Sequence, residues 1–274
     1  MTKLINLGVL ELYESDFHIF ENMRKVSGIF SLIWKLYTGI VFTTTAILLY
    51  PIILPFLYSL KGRKRAFRIF VFWSWLFRIL CFYHVRKVTS NPLPKGPYII
   101  LANHISYLDI FLMYSILPNE PFLFLGKSEL LNYPIIGTYF KRLNIPVFRV
   151  NRVKTARALV IAKQEVTNGW SIGIFPEGRI PDNNPKMIPF KLGAFQLAKE
   201  LELPIIPMTY VNNHRLFSDP VLTLGTARPG ISRVHIHPYI SKEEVIKTEL
   251  SELRSKCFHI VNATLLETYP ELRE

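Results

Sequence analysis

A long run without a charged side chain, Leu36–Leu60, constrains the fold of this chain more than any other feature. Its length and composition predict a helix long enough to cross a lipid bilayer. Pro51 and Pro55 lie within the run, and an internal proline removes a helical hydrogen bond and kinks the helix. The chain must therefore bury a long, bent and apolar segment, either in a membrane or in a protein core.

A basic block, Lys61–Arg65, follows at once and leads into a segment rich in Phe and Trp, Ala66–Lys87. Aromatic side chains beside arginines suit the headgroup level of a bilayer. Two arrangements fit: both segments form a helical hairpin embedded mainly in one leaflet, or the first spans the bilayer and the second lies on its surface. A third alternative is a buried core helix of the globular domain. The basic flanks favour the cytoplasmic side for everything that follows.

The charge of the chain indicates an anionic partner. The formal net charge is +13, half of the residues are hydrophobic, and Met23–Leu108 contains no Asp or Glu. Such a block suits nucleic acid or an anionic membrane. The long apolar runs between the basic residues favour the membrane and argue against nucleic acid. The two cysteines, Cys81 and Cys257, are far apart and lack metal-ligand spacing, so we expect neither a disulfide framework nor a metal site.

The pattern changes after a proline-rich linker, Asn91–Pro97. Apolar runs that predict strands alternate with runs that predict helices, which is typical of an α/β fold with a largely parallel central sheet flanked by helices. We expect residues 1–90 to form membrane-anchoring helices and residues 91–274 to form the α/β domain. The predicted strands are Tyr98–Ala102, Phe122–Gly126, Ile145–Val150, Ser171–Pro176, Pro204–Val211, Val221–Ala227 and Arg233–Ile240, and the predicted helices are Ser106–Leu117, Arg152–Thr167, Phe190–Leu201 and Ser241–Thr268.

Two polar residues stand where the first of these strands ends. His104 follows the strand directly, and Asp109 lies in the first turn of the next helix, which Ser106 can cap. Ligands of open α/β folds bind at the carboxyl ends of strands. A carboxylate that accepts a hydrogen bond from one ring nitrogen leaves the other nitrogen free to take a proton, as in the base-and-orienter part of a catalytic triad. The alternative is a strand-capping histidine beside a carboxylate that the helix dipole favours, without catalysis.

No nucleophile of the protein accompanies this pair in the sequence. The chain contains no G-x-S-x-G motif, and Ser106 is too close in sequence to be an obvious candidate. The simplest interpretation is that a substrate supplies the hydroxyl.

A second motif, Gly173–Arg179, ends another predicted strand. Gly178 lets the backbone approach a ligand closely, and the planar fork of Arg179 suits a phosphate. The motif also fits an ordinary surface turn with an internal pair between Glu177 and Arg179.

A third region, Leu130–Gln164, has no acidic residue and many basic ones. Arg149 lies at a predicted strand end, where it can reach an anionic ligand. The other basic residues suit a helix that faces solvent or lipid headgroups. Arg152 and Lys127 are additional candidates for substrate binding.

Together these blocks resemble the glycerolipid acyltransferase family, typified by 1-acyl-glycerol-3-phosphate (lysophosphatidic acid) acyltransferases. The resemblance covers roughly Pro97–Val211, and several blocks in the right order are far more specific than any one of them. The blocks are the His-x4-Asp block with Asn103, His104 and Asp109, the run IPVFR that ends at Arg149, the block Phe175–Gly178, and the runs PFKLGAFQLA and LPIIPMTY, the latter with Pro204 and Pro207.

The resemblance implies transfer of a fatty acyl group from acyl-CoA or acyl-carrier protein to the free hydroxyl of a lysophospholipid, with 1-acyl-glycerol-3-phosphate as the expected acceptor. It implies that His104 is the general base and that Asp109 orients it, without an acyl-enzyme, a cofactor or a metal. Its expected partners are a phospholipid membrane, the lysophospholipid and the thioester donor, with the catalytic domain on the cytoplasmic face (of the inner membrane in a bacterium). The implied substrate-binding residues are Asn103, Arg149, Glu177, Gly178 and Arg179.

Two positions depart from the family pattern. Many members have Thr between the Gly and Arg of the third block, whereas Arg179 here follows Gly178 directly, and many have Asp where this chain has Phe148. Both lie where the acceptor headgroup would sit, so a neutral or amino-acid-bearing lysolipid is an alternative acceptor. The rival functions are a membrane-bound lipase or thioesterase that uses water, and a non-enzymatic protein that binds membranes or nucleic acid.

Overall fold

The structure is a computed structural model that describes residues 2–148, 152–219 and 225–273, with the backbone alone for residues 2–25 and 152–156. The helices are α1 Thr2–Ile53, α2 Leu60–Leu80, α3 Leu108–Ile116, α4 Ile136–Leu143, α5 Arg152–Thr167, α6 Gly193–Glu200, α7 Asn213–Leu216, α8 Lys242–Lys247 and α9 Leu250–Thr268. The strands are β1 Tyr83–Ser90, β2 Ile99–Ala102, β3 Phe122–Lys127, β4 Ile145–Val147, β5 Ser171–Ile174, β6 Ile205–Tyr210 and β7 Gly230–Ile236.

The strands form one sheet in the order β1-β7-β6-β2-β5-β3-β4. Neighbouring strands are parallel except for the antiparallel pair of β6 and β7. The crossovers from β2 to β3 and from β5 to β6 run in opposite directions across the sheet, so right-handed connections place α3 and α6 on opposite faces. Covered on both faces, the central strands β2, β5 and β6 are fully buried. The predicted α/β fold with a largely parallel sheet is confirmed.

The helices α1 and α2 form an antiparallel hairpin, joined by a 3-10 turn at Leu54–Tyr58. Two polar contacts hold it in place: Trp73 Nε1 donates to Thr45 Oγ1 at 2.8 Å, and Trp34 Nε1 donates to the hydroxyl of Tyr83 at 3.1 Å. The predicted hairpin is therefore present. Among the described residues, Val26–Tyr58 is long and apolar enough to cross a membrane by length and composition.

One face of α2 also belongs to the core of the α/β domain. Phe67, Phe70 and Phe77 are buried, and the Phe77 ring packs edge-on against Phe111 of α3 at 5.1 Å between centroids. On the other face, Trp75 is about half exposed. The core-helix alternative therefore holds for one face of α2, and the placement of the hairpin in one leaflet stays a prediction.

The start of the sheet differs from the pattern expected from the sequence. The aromatic segment does not continue as a helix to Lys87, because Phe82 adopts a positive φ of 49° and turns the chain into β1. β1 pairs in parallel with β7, so the sheet begins before the proline-rich linker. The division into residues 1–90 and 91–274 stays a prediction.

Two predicted elements near the carboxyl terminus also differ. The expected helix Ser241–Thr268 is two helices, because the side chain of Ser241 caps α8 and that of Glu249 caps α9. The expected strand Val221–Ala227 falls largely outside the described residues, and Ala227 forms an isolated antiparallel bridge with Phe217.

Candidate active site

The candidate site is formed by residues that follow three neighbouring strands of the sheet. β6, β2 and β5 are adjacent and parallel, so their carboxyl ends meet at one edge. His104 follows β2, Glu177 follows β5, and Asn213 follows β6. This edge is where open α/β folds bind ligands.

The side chains of His104 and Asp109 are brought together as predicted. Asp109 is fully buried in the first turn of α3, and its Oδ2 accepts a hydrogen bond from His104 Nδ1 at 3.0 Å. The backbone N–H groups of Ile105 and Ser106 donate to the same oxygen at 2.7 and 2.8 Å. Because Oδ2 already accepts from these two N–H groups, we assign it as the acceptor toward the ring as well, so that Nδ1 carries the ring proton and Nε2 is left as the proton acceptor.

The imidazole ring is held from a second side and keeps a small exposed fraction, 11% of the side chain. It stacks on Phe175 with the ring centroids 4.2 Å apart and the planes 23° from parallel. His104 retains 9% of its surface, whereas Asp109 retains none. A reacting group can thus approach the ring but not the carboxylate that orients it, which is the arrangement of a general base.

Asn103 and Glu177, both predicted to bind substrate, are fully buried in the backbone framework of the site. Asn103 donates to the carbonyl of Tyr210 at 2.9 Å and accepts from its N–H at 2.8 Å, which joins β2 to β6. Glu177 accepts from the N–H of His104 at 2.8 Å and from the N–H of Ile188 at 3.1 Å. The geometry gives each residue a role in holding the loops, and their contact with substrate stays a prediction.

Gly178 and Arg179 lie in the turn that follows. Gly178 has a φ of 77°, which favours glycine, and its N–H donates to the carbonyl of Phe175 at 3.0 Å. This amide is therefore engaged within the turn. The Arg179 side chain is exposed and pairs with Asp182 at 3.0 Å, an ion pair of a kind that contributes little to stability and that an anionic ligand can replace.

The remaining predicted binding residues are less defined by the structure. Arg149 lies outside the described residues, and for Arg152 the structure describes only its backbone at the start of α5. Lys127 is exposed at the end of β3. Over the described ranges, no group of three or more His, Cys, Asp or Glu side chains is placed to hold a metal ion.

Among the residues that the structure describes, none is an activated nucleophile next to His104. The hydroxyl of Ser106 donates to the carbonyl of Phe217 at 2.6 Å and accepts from the N–H of Leu108. Cys81 and Cys257 are buried, and burial raises the pKa of each thiol to about 12, so neither is a thiolate near neutral pH. Within the described part of the chain, no serine, threonine or cysteine hydrogen-bonds to the His104 ring.

Two residues of the site were not predicted from the sequence. Asn213 donates to Oδ1 of Asp109 at 2.7 Å, and Phe175 provides the surface on which the imidazole stacks. Phe175 lies within the motif Gly173–Arg179, in which the sequence analysis selected Glu177, Gly178 and Arg179. Asn213 comes two positions after the predicted strand Pro204–Val211, so the strand-end rule that selected His104 would have selected it too.

The burial of Glu177 has a consequence for stability. Burial raises the pKa of its carboxyl from 4.5 to about 7, opposed by the two backbone hydrogen bonds and reinforced by Asp109. The folded protein then binds this proton more tightly than the unfolded chain, so the stabilisation is complete below about pH 4.5 and is lost as the pH rises through about 7. We expect the Tm of the wild type minus the Tm of Glu177→Gln to decrease as the pH rises from about 5 to 8. A Tm difference that stays constant over this range would contradict the assignment.

The fold and site define an α/β protein with a histidine hydrogen-bonded to a buried carboxylate at the strand ends. Residues 84–211 match the family model described as Acyltransferase. The chain is 32% identical over 206 residues to the 1-acyl-sn-glycerol-3-phosphate acyltransferase of Saccharomyces cerevisiae, covering 70% of this chain and 65% of the relative. It is 30% identical over 172 residues to the mouse 1-acyl-sn-glycerol-3-phosphate acyltransferase alpha, covering 61% of this chain and 58% of the relative.

The chain thus spans less than two thirds of the length of these relatives. The crystal structure of the 1-acyl-sn-glycerophosphate (LPA) acyltransferase PlsC from Thermotoga maritima has the same fold, with a TM-score of 0.72, 24% identity, and coverage of 89% of this chain and 97% of that one. The match to the acyltransferase family model covers residues 84–211, and the resemblance predicted from the sequence blocks is confirmed.

Proposed function

We propose that this protein is a membrane-bound enzyme that transfers a fatty acyl group from a thioester to the free hydroxyl of a lysophospholipid. The observation that carries the proposal is the buried hydrogen bond between His104 and Asp109, in which His104 alone keeps some exposed surface, without an activated protein nucleophile in the described part of the chain. The names of the relatives support 1-acyl-glycerol-3-phosphate as the acceptor and phosphatidic acid as the product. Acyl-CoA or acyl-carrier protein is the donor.

In this scheme, the Nε2 atom of His104 takes the proton of the acceptor hydroxyl as its oxygen attacks the thioester carbonyl. The C–O bond forms, the C–S bond breaks, and the imidazolium returns the proton to the departing thiolate. Asp109 stabilises the imidazolium between these steps. General base catalysis of this kind contributes on the order of 10²–10⁴-fold. The donor that stabilises the oxyanion is a group other than the Gly178 amide, because that amide is bonded to Phe175.

The hairpin of α1 and α2 supports the proposed membrane location. Along with the apolar stretch Val26–Tyr58, it exposes Phe72, Trp75 and Ile79, each about half accessible, on the same helix that begins with the basic block. Aromatic and basic side chains in this arrangement suit the headgroup region. We propose that the hairpin holds the α/β domain on the cytoplasmic face of the membrane.

We propose that Arg179 contacts the phosphate of the acceptor. Arg179→Ala should raise the KM for 1-acyl-glycerol-3-phosphate about tenfold, because one hydrogen bond to a charged group is lost, and leave kcat within about twofold. The measurement is a steady-state titration of acceptor at saturating acyl-CoA, with the exposed Arg273→Ala variant as control. An unchanged KM, or a loss confined to kcat, would exclude this role.

A product assay tests the proposed function. The purified protein in vesicles is given labelled acyl-CoA or labelled acyl-carrier protein with a panel of lysolipids: 1-acyl-glycerol-3-phosphate, lysophosphatidylcholine and an amino-acid-bearing lysolipid. We expect labelled phosphatidic acid as the main product. Transfer to the amino-acid-bearing lysolipid instead would identify that lipid as the acceptor. It is an alternative because Arg179 and Phe148 depart from the family pattern. Release of free fatty acid at the same rate with and without acceptor would identify a hydrolase.

A further inference from the structure

Asp109 receives a hydrogen bond from outside its own loop. Asn213 Nδ2 donates to Asp109 Oδ1 at 2.7 Å, and both side chains are fully buried. The three other donors, from residues 104–106, all reach Oδ2. We propose that Asn213 is the positioning residue that fixes the Asp109 carboxylate and, through it, the His104 ring. This inference rests on the proposed function, because it assigns a further residue to the same reaction.

The position of the donors explains why the contact matters. The torsion that turns a carboxylate about its Cβ–Cγ bond is broad, and because both oxygens turn together, donors that cluster on one oxygen hold this torsion at a single point. A donor on Oδ1 restricts rotation of the carboxylate from its other end, so that Oδ2 keeps facing the ring nitrogen. The Asn213 amide must present its nitrogen to Asp109, since the reversed amide would place two acceptor oxygens against each other.

The other half of the Asn213 amide supports this assignment. Its Oδ1 is buried and has no hydrogen-bond partner within the described residues. A buried unpaired acceptor costs free energy, so the side chain is not placed to satisfy its own hydrogen bonds. The contact that determines its orientation is the one to Asp109.

The helix that carries Asn213 is fastened to the same loop. The hydroxyl of Ser106 donates to the carbonyl of Phe217 at 2.6 Å, directly after α7. The neighbouring Asn212 binds a different part of the fold, because its amide donates to the carbonyl of Ile231 at 2.8 Å and accepts from the N–H of Arg233 at 2.9 Å. These two bonds tie the start of α7 to β7. The two adjacent amides therefore form a matched pair. Asn213 binds the Asp109 carboxylate, and Asn212 binds the backbone of β7.

This pair gives the experiment its control. Asn213→Leu keeps the size of the side chain and removes the donor, so kcat should fall about 10- to 100-fold, as expected for loss of a hydrogen bond to a charged group, while the KM values of donor and acceptor stay within about twofold. Asn212→Leu should lower the Tm but leave kcat within about threefold. Equal losses of kcat in both variants, or a loss in Asn213→Leu that appears only in KM, would overturn the inference.

Asn213→Asp adds a readout that a purely structural role would not change. The introduced carboxyl can donate to Oδ1 only while it is protonated, and two ionised carboxylates this close repel each other. The activity of Asn213→Asp relative to Asn213→Leu should therefore fall as the pH rises. A ratio that is flat across the pH range would contradict the positioning role.

A spectroscopic measurement separates this inference from the proposed function. In protein with ¹⁵N-labelled histidine, the Nδ1 proton of His104 is assigned by its loss in His104→Ala. Its low-field resonance should persist in Asn212→Leu and shift or broaden in Asn213→Leu. If the wild type transfers no acyl group to any lysolipid, the proposed function fails, yet this spectrum still decides whether Asn213 positions Asp109. An unchanged resonance in Asn213→Leu would refute it.

Discussion

His104→Ala is expected to lower kcat for acyl transfer by about 10²–10⁴-fold, the contribution of a positioned general base. Within the described site, His104 keeps a small exposed fraction and its ring is held by the carboxylate of Asp109 through the 3.0 Å bond. Without the ring, the acceptor hydroxyl keeps its proton and attacks the thioester slowly. The measurement is the initial rate of labelled phospholipid formation at saturating donor and acceptor.

Two controls separate lost catalysis from lost structure. His259→Ala changes a histidine of α9 whose ring bonds only to the carbonyl of Ser255 among the described residues, and it should keep the wild-type rate. His104→Ala should itself still float with vesicles, because the hairpin of α1 and α2 is unchanged. Near-normal transfer by His104→Ala would remove the basis of the proposed mechanism.

Asp109→Asn should have a comparable effect, with kcat reduced on the order of 10³–10⁴-fold, as when an orienting carboxylate of a triad becomes an amide. Four donors converge on the two carboxylate oxygens. An amide offers one acceptor oxygen, so its nitrogen must face at least one of these donors. If that nitrogen faces Nδ1, the histidine takes the other tautomer and Nε2 can no longer accept the proton.

The same substitution should also lower the Tm, because buried donors lose their acceptor. The rate is therefore measured well below the Tm of the variant, together with the KM of acyl-CoA as a test that the site remains folded. Glu271→Gln, which removes an exposed carboxylate outside the site, is the control. A variant at Asp109 with a lowered Tm but an unchanged kcat would assign the carboxylate to stability alone.

The parts of the fold that follow from local pattern could be predicted from the sequence. The strands β2, β5 and β6 are buried on both faces, so their sequences are largely continuous apolar runs between turn residues. His104 and Asp109 are five positions apart, and one helix turn brings them together. Short-range geometry therefore sufficed for the central pair of the site.

What could not be predicted depends on contacts between distant residues. Asn213 and Asp109 are 104 positions apart in the sequence, and the order of the strands in the sheet brings them into contact. The inward orientation of Glu177 depends on the N–H groups of His104 and Ile188, which its own motif does not contain. The start of β1 depends on a backbone turn at Phe82 and on a partner strand near the other end of the chain.

The central claim is that the acceptor lipid, and neither the protein nor water, supplies the oxygen that takes the acyl group. The most direct measurement mixes the wild type with acyl-CoA in stoichiometric amounts and follows free thiol and the intact protein mass before and after addition of 1-acyl-glycerol-3-phosphate. We expect no thiol release and no acyl adduct until the lysolipid is added, and then release of one thiol for each phospholipid formed. A burst of thiol with an acylated protein, or steady release of fatty acid without lysolipid, would contradict it.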